Sequence, residues 1–120
     1  MIEYLKNEVP HYLEDEVKEV KFSCEFEYKF GEVNGDIAQG DVYKVLLASG
    51  RRVFAVDGGF AGRYIKNVYG QNLPDAKTAS KVHLYTLMAM NVPKGDRKGE
   101  KVLKELAEIM GLPKRYRRND

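Results

Sequence analysis

The chain has 120 residues, of which 43% are hydrophobic and 32% are charged, a balance typical of one folded domain rather than a disordered chain. No apolar run approaches the ~20 residues that cross a bilayer, and the first residues lack the pattern of a signal peptide. Cys24 is the only cysteine, which excludes an intrachain disulfide and a cysteine-rich metal site. We therefore expect a cytoplasmic protein with no membrane partner, no metal and no cofactor.

The net charge of +2 conceals a division between the two halves of the chain. Residues 1–50 hold 5 basic and 11 acidic side chains, whereas residues 51–120 hold 15 basic and 7 acidic ones. Such asymmetry is typical of a polyanion-binding surface, or of oppositely charged halves that lie against each other in the fold.

Helical spacing dominates the first residues. Apolar residues recur at three- and four-residue steps from Ile2 to Val20, which predicts an N-terminal helix or a pair of short helices. Proline is tolerated in the first turn of a helix but not in its interior. We therefore expect a break near Val9 and a second helix from Pro10 to Glu19.

An alternating segment follows, with apolar residues at every second position: Val20, Phe22, Cys24, Phe26, Tyr28 and Phe30. Because side chains alternate faces along a strand, this pattern predicts a strand with one face on a core. Phe22, Phe26 and Phe30 are expected to turn inward together. Cys24 is expected to be a small core residue, since a thiolate is disfavoured beside aromatic rings.

Two more strands are predicted on either side of Ser49-Gly50. A two-residue turn there sets three cross-strand pairs: Leu47–Arg52, Val45–Phe54 and Tyr43–Val56. With the first strand these form a three-stranded antiparallel meander. Residues 58–74 are expected to be irregular, with a short fourth strand at residues 64–69 as an alternative.

Two helices are predicted to follow the sheet. Asp75 can cap a helix that runs to Asn91, and the apolar pattern from Val102 to Met110 predicts an amphipathic helix that ends at Gly111. Opposite charges at four-residue spacing are expected to pair on its exposed face: Glu100–Lys104, Lys101–Glu105 and Lys104–Glu108.

The predicted fold class is therefore α+β. It has an N-terminal helix, a three-stranded antiparallel meander and two C-terminal helices packed on one sheet face. Residues 1–113 form a single domain, and residues 114–120 form a basic C-terminal tail.

Signals of catalysis are weak. His11, His83 and Cys24 are one ligand short of a structural zinc site. Asp41 and Asp57 are expected to face each other at the open end of the hairpin, where they could raise each other's pKa. No histidine or serine is predicted beside them, so we predict no catalytic residues and no enzyme.

The glycines after the third strand suggest a phosphate-binding loop as one interpretation. Gly58-Gly59-Phe60-Ala61-Gly62-Arg63 follows a strand, as such loops do, but it lacks the spacing of known phosphate motifs. Backbone N–H groups exposed to an anion remain an alternative to a plain turn or bulge.

Basic residues interleaved with tyrosines are the stronger functional signal. Cations contact phosphates and aromatic rings stack on unpaired bases, a combination typical of single-strand binders. The candidate binding residues are Arg51, Arg52, Arg63, Tyr64, Lys66, Lys114, Arg115, Tyr116, Arg117 and Arg118. The alternatives are a solvated tail that aids solubility and a mobile tail that docks on an acidic protein.

The organisation of residues 41–110 resembles that of short proteins from bacteriophages and mobile elements. The resemblance is carried by the hairpin Val45-Leu46-Leu47-Ala48-Ser49-Gly50-Arg51-Arg52-Val53-Phe54 and by Leu73-Pro74-Asp75. Some proteins of that kind bind and block host machinery, anti-CRISPR inhibitors among them.

The leading hypothesis is thus a non-enzymatic binding module, in the form of a phage-type inhibitor or accessory protein. It would block a host protein or a nucleoprotein complex in the host cytoplasm. The alternative is a protein that binds nucleic acid directly through the hairpin tip and the tail. A small enzyme is the third hypothesis, and a homodimer is compatible with each of them.

Overall fold

The computed structural model describes residues 1–30, 36–70 and 72–118, without the side chains of residues 8, 10–13 and 36. Its elements in chain order are α1 (Ile2–Leu13), β1 (Val17–Phe30), β2 (Asp36–Leu47), β3 (Arg52–Phe60), β4 (Arg63–Tyr69), α2 (Ala76–Ala89), α3 (Arg97–Met110) and a short 3-10 helix at Lys114–Tyr116. The strands form one antiparallel sheet in the order β1-β2-β3-β4. The α+β class is confirmed, but the sheet has four strands and not three. Within the described residues, no helix is long and apolar enough to cross a membrane.

Helices cover both faces of the sheet. On the first face, called the α2 face, Phe26, Val42 and Val56 share a core with residues of α2 and α3. On the other, called the α1 face, a second core joins the sheet to α1 and contains Leu5, Val9, Val45, Leu47, Val53 and Ala55. The two C-terminal helices lie on one sheet face as predicted, and α1 buries the opposite face.

The apolar residues of β1 do not all turn to the same face. The register with β2 shifts between Phe22 and Cys24, which moves the alternation from the α1 face to the α2 face. Phe26 and Phe30 are buried, with 9% and 1% of their surface exposed, whereas Phe22 is 57% exposed. Phe22 instead contacts Tyr43 edge to face, with ring centroids 5.8 Å apart. The prediction was right for Phe26 and Phe30 and wrong for Phe22.

The hairpin between β2 and β3 has a three-residue loop, not the two-residue turn predicted. The N–H of Gly50 donates to the carbonyl of Leu47, and the N–H of Leu47 donates to the carbonyl of Arg51, both at 2.9 Å. Gly50 has a φ of +90°, which closes a three-residue loop in the left-handed region. The observed pairs therefore differ by one residue from the predicted ones and are Leu46–Arg52, Val45–Val53, Lys44–Phe54, Tyr43–Ala55 and Val42–Val56.

This one-residue difference places alternate side chains on opposite faces. Phe54 and Val56 lie on the α2 face, and Val45 lies on the α1 face. Because cross-strand partners share a face, the predicted pairs Val45–Phe54 and Tyr43–Val56 would have put these residues on one face; they were wrong because the loop length sets the register.

Residues 58–69 continue the sheet, so the predicted irregular segment was wrong there, whereas residues 70 and 72–74 are irregular as predicted. β3 extends to Phe60, a two-residue turn at Ala61 and Gly62 follows with positive φ at both, and β4 pairs with β3. The alternative of a fourth strand is confirmed. The phosphate-loop interpretation was wrong, because Gly58 and Gly59 lie in the strand ladder.

Gly58 has a packing reason to lack a side chain. It pairs with Gly40 of β2, which in turn pairs with Phe26 of β1. A Cβ atom added at Gly40 or Gly58 would lie 2.8 or 2.9 Å from the tip of the Phe26 ring. The glycine pair therefore makes room for a buried aromatic ring.

The N-terminal region contains one helix, which continues through Pro10 to Leu13. The predicted break near Val9 and the predicted second helix to Glu19 were wrong, since the chain enters β1 at Val17. Val9 is fully buried on the sheet, and this packing offsets the helix hydrogen bond that proline cannot donate.

The predicted start of α2 and the predicted end of α3 are confirmed. The N–H of Thr78 donates to the carboxylate of Asp75 at 2.7 Å, which caps α2. Gly111 ends α3 with a φ of 68°, as predicted. α2 ends at Ala89, slightly before the predicted Asn91.

Candidate anion-binding cleft

Residues 114–118, called here the C-terminal segment, fold back onto α2 and α3. Gly111 reverses the chain, and Leu112 is buried directly after it. The Nε of Arg117 donates to the carbonyl of Leu112 at 2.8 Å. The predicted solvated tail is therefore wrong for Tyr116, Arg117 and Arg118, which are half-buried, whereas Lys114 and Arg115 are exposed.

Arg118 anchors the segment to the end of α2. Its guanidinium donates to the carbonyls of Ala89 and Val92, both at 2.9 Å, and its N–H donates to the Tyr85 hydroxyl at 2.6 Å. The last carbonyls of a helix have no partner within the helix and carry partial negative charge. A guanidinium, with its planar fork of donors, satisfies two acceptors at once.

A cleft of about 490 Å³ lies between α3 and this segment, and we call it the basic cleft. Tyr85 and Leu103 contribute its apolar lining, and Glu100 is its acidic member. Its cationic members are Arg97, Lys101, Lys104, Lys114, Arg117 and Arg118. Cations thus dominate the polar groups that a bound molecule would meet.

Helix geometry aligns the cations of α3. Arg97, Lys101 and Lys104 are spaced by four and three residues, so they share one side of the helix. The apolar residues Leu106 and Met110 are buried on the core side of the same helix. The amphipathic pattern of α3 therefore faces these three cations to the cleft.

These cations have no neutralising partner in the described ranges 1–30, 36–70 and 72–118. No carboxylate there lies within 4.0 Å of the charged nitrogens of Arg97, Lys101 or Lys104. The carboxylate of Glu100 instead accepts the N–H of Gly95 at 3.0 Å. The expected pairs were therefore wrong: Glu100–Lys104, Lys101–Glu105 and Lys104–Glu108.

The other basic candidates lie elsewhere. Arg51 and Arg52 are at the β2–β3 loop and Arg63 is at the β3–β4 turn, at opposite ends of β3. A strand of that length separates them by roughly 30 Å. Tyr64 and Lys66 lie on β4, which is an edge strand. These five residues form no common surface with the basic cleft.

Only part of the basic cleft was predicted from sequence. Lys114, Arg117 and Arg118 were candidates, and the structure brings them together. Lys101 and Lys104 were missed because they were assigned to ion pairs within α3, and Arg97 was assigned no role. Their spacing of four and three residues was the signal that could have identified them. Arg115 and Tyr116 lie on the other side of the C-terminal segment, with the Arg115 guanidinium 4.8 Å from the Tyr116 ring centroid.

Asp41 and Asp57 face each other across β2 and β3, as predicted. They lie within the continuous ladder, however, and not at an open hairpin end. They line a hollow of about 640 Å³ on the α1 face, together with Glu25 and Glu27, and we call it the acidic hollow. The two aspartates and the burial of the ring raise the pKa of Tyr43, with burial the larger cause.

His83 is buried on the opposite face of the sheet. Its Nε2–H donates to the carbonyl of Gly58 at 2.9 Å, and its Nδ1 accepts the hydroxyl of Tyr69 at 2.7 Å. Burial lowers the pKa of His83 and keeps the ring neutral. The sheet therefore separates this histidine from Asp41 and Asp57, and the three do not form a common site.

Comparison of the chain with protein-family models, curated proteins and solved structures finds no match. Its function is therefore inferred from the geometry and charge of these surfaces.

Proposed function

We propose that the protein is a non-enzymatic binding module that binds nucleic acid through the basic cleft. The observation that carries the proposal is the convergence of six cationic side chains from α3 and the C-terminal segment on one cleft. Lysine and arginine brought to phosphates release condensed counterions, and this release supplies much of the affinity for nucleic acids.

Two features of the cleft indicate that it binds a phosphate group and does not catalyse a reaction on a substrate. Arg97, Lys101 and Lys104 have no carboxylate within 4.0 Å in the described part of the chain, so their charge is available to a bound anion. The carboxylate of Glu100 is engaged by a backbone N–H. Among the described residues, the cleft thus combines unpaired cations with a single carboxylate, that of Glu100, which already accepts a backbone hydrogen bond.

The hydrogen bonds of the C-terminal segment order part of the cleft before a ligand binds. Arg118 donates to the carbonyl of Ala89 at the end of α2 and to that of Val92 beyond it, and Arg117 donates to Leu112 through its Nε. Lys114 and Arg117 are therefore held at the cleft before a ligand arrives. Less conformational entropy is lost on binding when the contact residues are already ordered.

The test is a comparison of two double variants in oligonucleotide binding, measured by fluorescence anisotropy. Lys101→Gln/Lys104→Gln removes two cleft cations, and Arg51→Gln/Arg52→Gln removes two at the distant hairpin loop. We expect the first to weaken binding by roughly 5-fold per cation at about 0.1 M salt. The second is expected to change it much less. Equal losses in both variants would contradict the assignment to the cleft.

A phage-type inhibitor that blocks a host protein or nucleoprotein is the second candidate. The feature that favours it is the acidic hollow, where Glu25, Asp41 and Asp57 are successive cross-strand neighbours on a partly exposed part of the sheet. A cationic protein surface would be attracted to this face. In this form the protein acts in the host cytoplasm.

Capture from a host lysate, with and without nuclease, separates the two candidates. A bound partner that survives nuclease and is lost with Asp41→Asn/Asp57→Asn supports the inhibitor. Capture that nuclease abolishes supports nucleic-acid binding.

A further inference from the structure

A second hollow adjoins the basic cleft on the other side of the C-terminal segment. It has a volume of about 480 Å³ and lies between α2 and Tyr116, and we call it the Tyr116 hollow. Its α2 side is largely apolar, with Val82, Ala89 and Met90. The rest of its lining includes three arginines: Arg115, Arg117 and Arg118. A flat group that stacks on both apolar and guanidinium surfaces would fit such a hollow.

Met90 and Tyr116 keep exposed surface in the Tyr116 hollow, and the Tyr116 ring also packs against the core on the α2 face. Met90 is 71% exposed, which is unusual for a large apolar side chain. Tyr116 is only partly buried, and the Arg115 guanidinium lies over its ring. Methionine adapts to aromatic surfaces, and a tyrosine ring flanked by arginine is a stacking platform for a planar base.

The basic cleft and the Tyr116 hollow share three lining residues. Tyr85, Arg117 and Arg118 line both of them, and Arg118 is fixed to the α2 end. The lysines of the basic cleft thus lie on one side of a short stretch of chain, and the apolar and aromatic surface of the Tyr116 hollow lies on the other. The two shared arginines bring positive charge to both sides.

A single-stranded nucleic acid carries these two chemistries side by side. Its phosphates are negative, and its unpaired bases are flat and available for stacking. A duplex keeps its bases stacked in its interior, and an acidic protein segment would satisfy only the basic cleft.

We propose that the Tyr116 hollow receives an unpaired base while the basic cleft holds the neighbouring phosphates. The preferred ligand is then single-stranded nucleic acid. This inference rests on the proposed function and adds to it the strand state of the ligand and the site of base contact.

The experiment compares four labelled probes in anisotropy titrations at about 0.1 M salt. They are an oligothymidylate of about 12 nucleotides, an abasic strand of equal length, a duplex of equal length and a polyglutamate peptide. The oligothymidylate is expected to bind roughly 10-fold more tightly than the abasic strand, because base stacking adds to phosphate contact.

Two variants locate the base contact. Tyr116→Leu keeps apolar bulk and removes the ring, and Met90→Gln alters an exposed side chain that folding does not require. Both are expected to reduce the preference for oligothymidylate over the abasic strand while leaving the salt dependence unchanged. Ile109→Gln is the matched control, since Ile109 is a 50% exposed apolar residue of α3 that does not line the hollow.

The outcomes separate this inference from the proposed function. If oligothymidylate and abasic strand bind equally, or if the duplex binds best, the base site is wrong and the nucleic-acid module survives. If Met90→Gln and Ile109→Gln reduce the preference equally, the location is wrong. If polyglutamate binds as tightly as the strands, or if no nucleic acid binds, both are wrong.

Discussion

The main-chain N–H of Arg118 donates to the hydroxyl of Tyr85 at 2.6 Å, which joins the end of the chain to the middle of α2. The side chain of Arg118 also closes the α2 end through Ala89 and Val92. Arg118 and Tyr85 line both the basic cleft and the Tyr116 hollow. The geometry of the candidate site therefore depends on this attachment.

Replacing Arg118 by lysine keeps the charge and removes the fork of donors. An ammonium cannot hold both carbonyls in the same planar geometry, so we expect Arg118→Lys to lower the free energy of unfolding by about 1–2 kcal/mol. Urea denaturation measures this. Arg115→Lys is the control, because Arg115 is exposed and contacts a ring instead of a helix end. Equal stability of the two variants would mean that Arg118 does not anchor the segment.

His83 makes stability depend on pH. Burial lowers its pKa from 6.5, so the unfolded chain binds a proton more readily than the folded one. This stabilisation is complete above pH ~6.5 and is lost as pH falls through the lowered pKa of the folded state. We expect the urea midpoint to decrease between pH ~7.5 and ~5.5, before most carboxylates titrate.

A variant of His83 tests whether this residue causes the pH dependence of the urea midpoint. His83→Gln is expected to unfold more easily at neutral pH and to lose most of the dependence in this window. A wild-type midpoint that stays constant over the window would show that His83 is not held neutral by burial.

Asp41 lies between two other carboxylates in the ladder, with Glu25 on one side and Asp57 on the other. Like charges directly opposite each other destabilise a sheet. We expect Asp41→Asn to raise the free energy of unfolding by about 0.5–1 kcal/mol at low salt, and the gain should shrink as salt is added. Glu27→Gln is the control, since Glu27 faces the neutral Gln39. A gain of the same size for Glu27→Gln would argue against cross-strand repulsion.

The register shift in β1 predicts unequal costs for its phenylalanines. Phe26→Ala removes a buried ring over the glycine pair and is expected to cost about 3–5 kcal/mol. Phe22→Ala removes an exposed ring that contacts Tyr43 and is expected to cost about 1 kcal/mol or less. Thermal unfolding of both variants measures the difference. Comparable costs would mean that Phe22 is part of the core.

Sequence patterns predicted those features that depend on neighbouring residues. The cap at Asp75 and the left-handed end at Gly111 each follow from a side chain and the next few backbone groups. The face of Phe22 and the partner of Phe54 depend instead on pairing between strands distant in sequence. A bulge and one extra loop residue reversed both predictions.

The candidate site also combines features that depend on neighbouring residues with features that depend on contacts distant in sequence. Lys101 and Lys104 were visible as cations at helical spacing, but whether they would pair with glutamates of α3 is decided by tertiary contacts. The main-chain N–H of Gly95 engages Glu100, and the folded C-terminal segment adds Lys114 and Arg117 from outside the helix. Neither effect can be read from the sequence of α3 alone.

The salt dependence of oligonucleotide binding is the decisive measurement for a phosphate-binding cleft. With three to five cations engaged, the slope of log K against log salt is expected to be about −2 to −3.5 for a single strand. Lys101→Gln/Lys104→Gln should make the slope less steep by about 1.4. Binding that is independent of salt, or a slope that the double variant leaves unchanged, would contradict a role for the basic cleft.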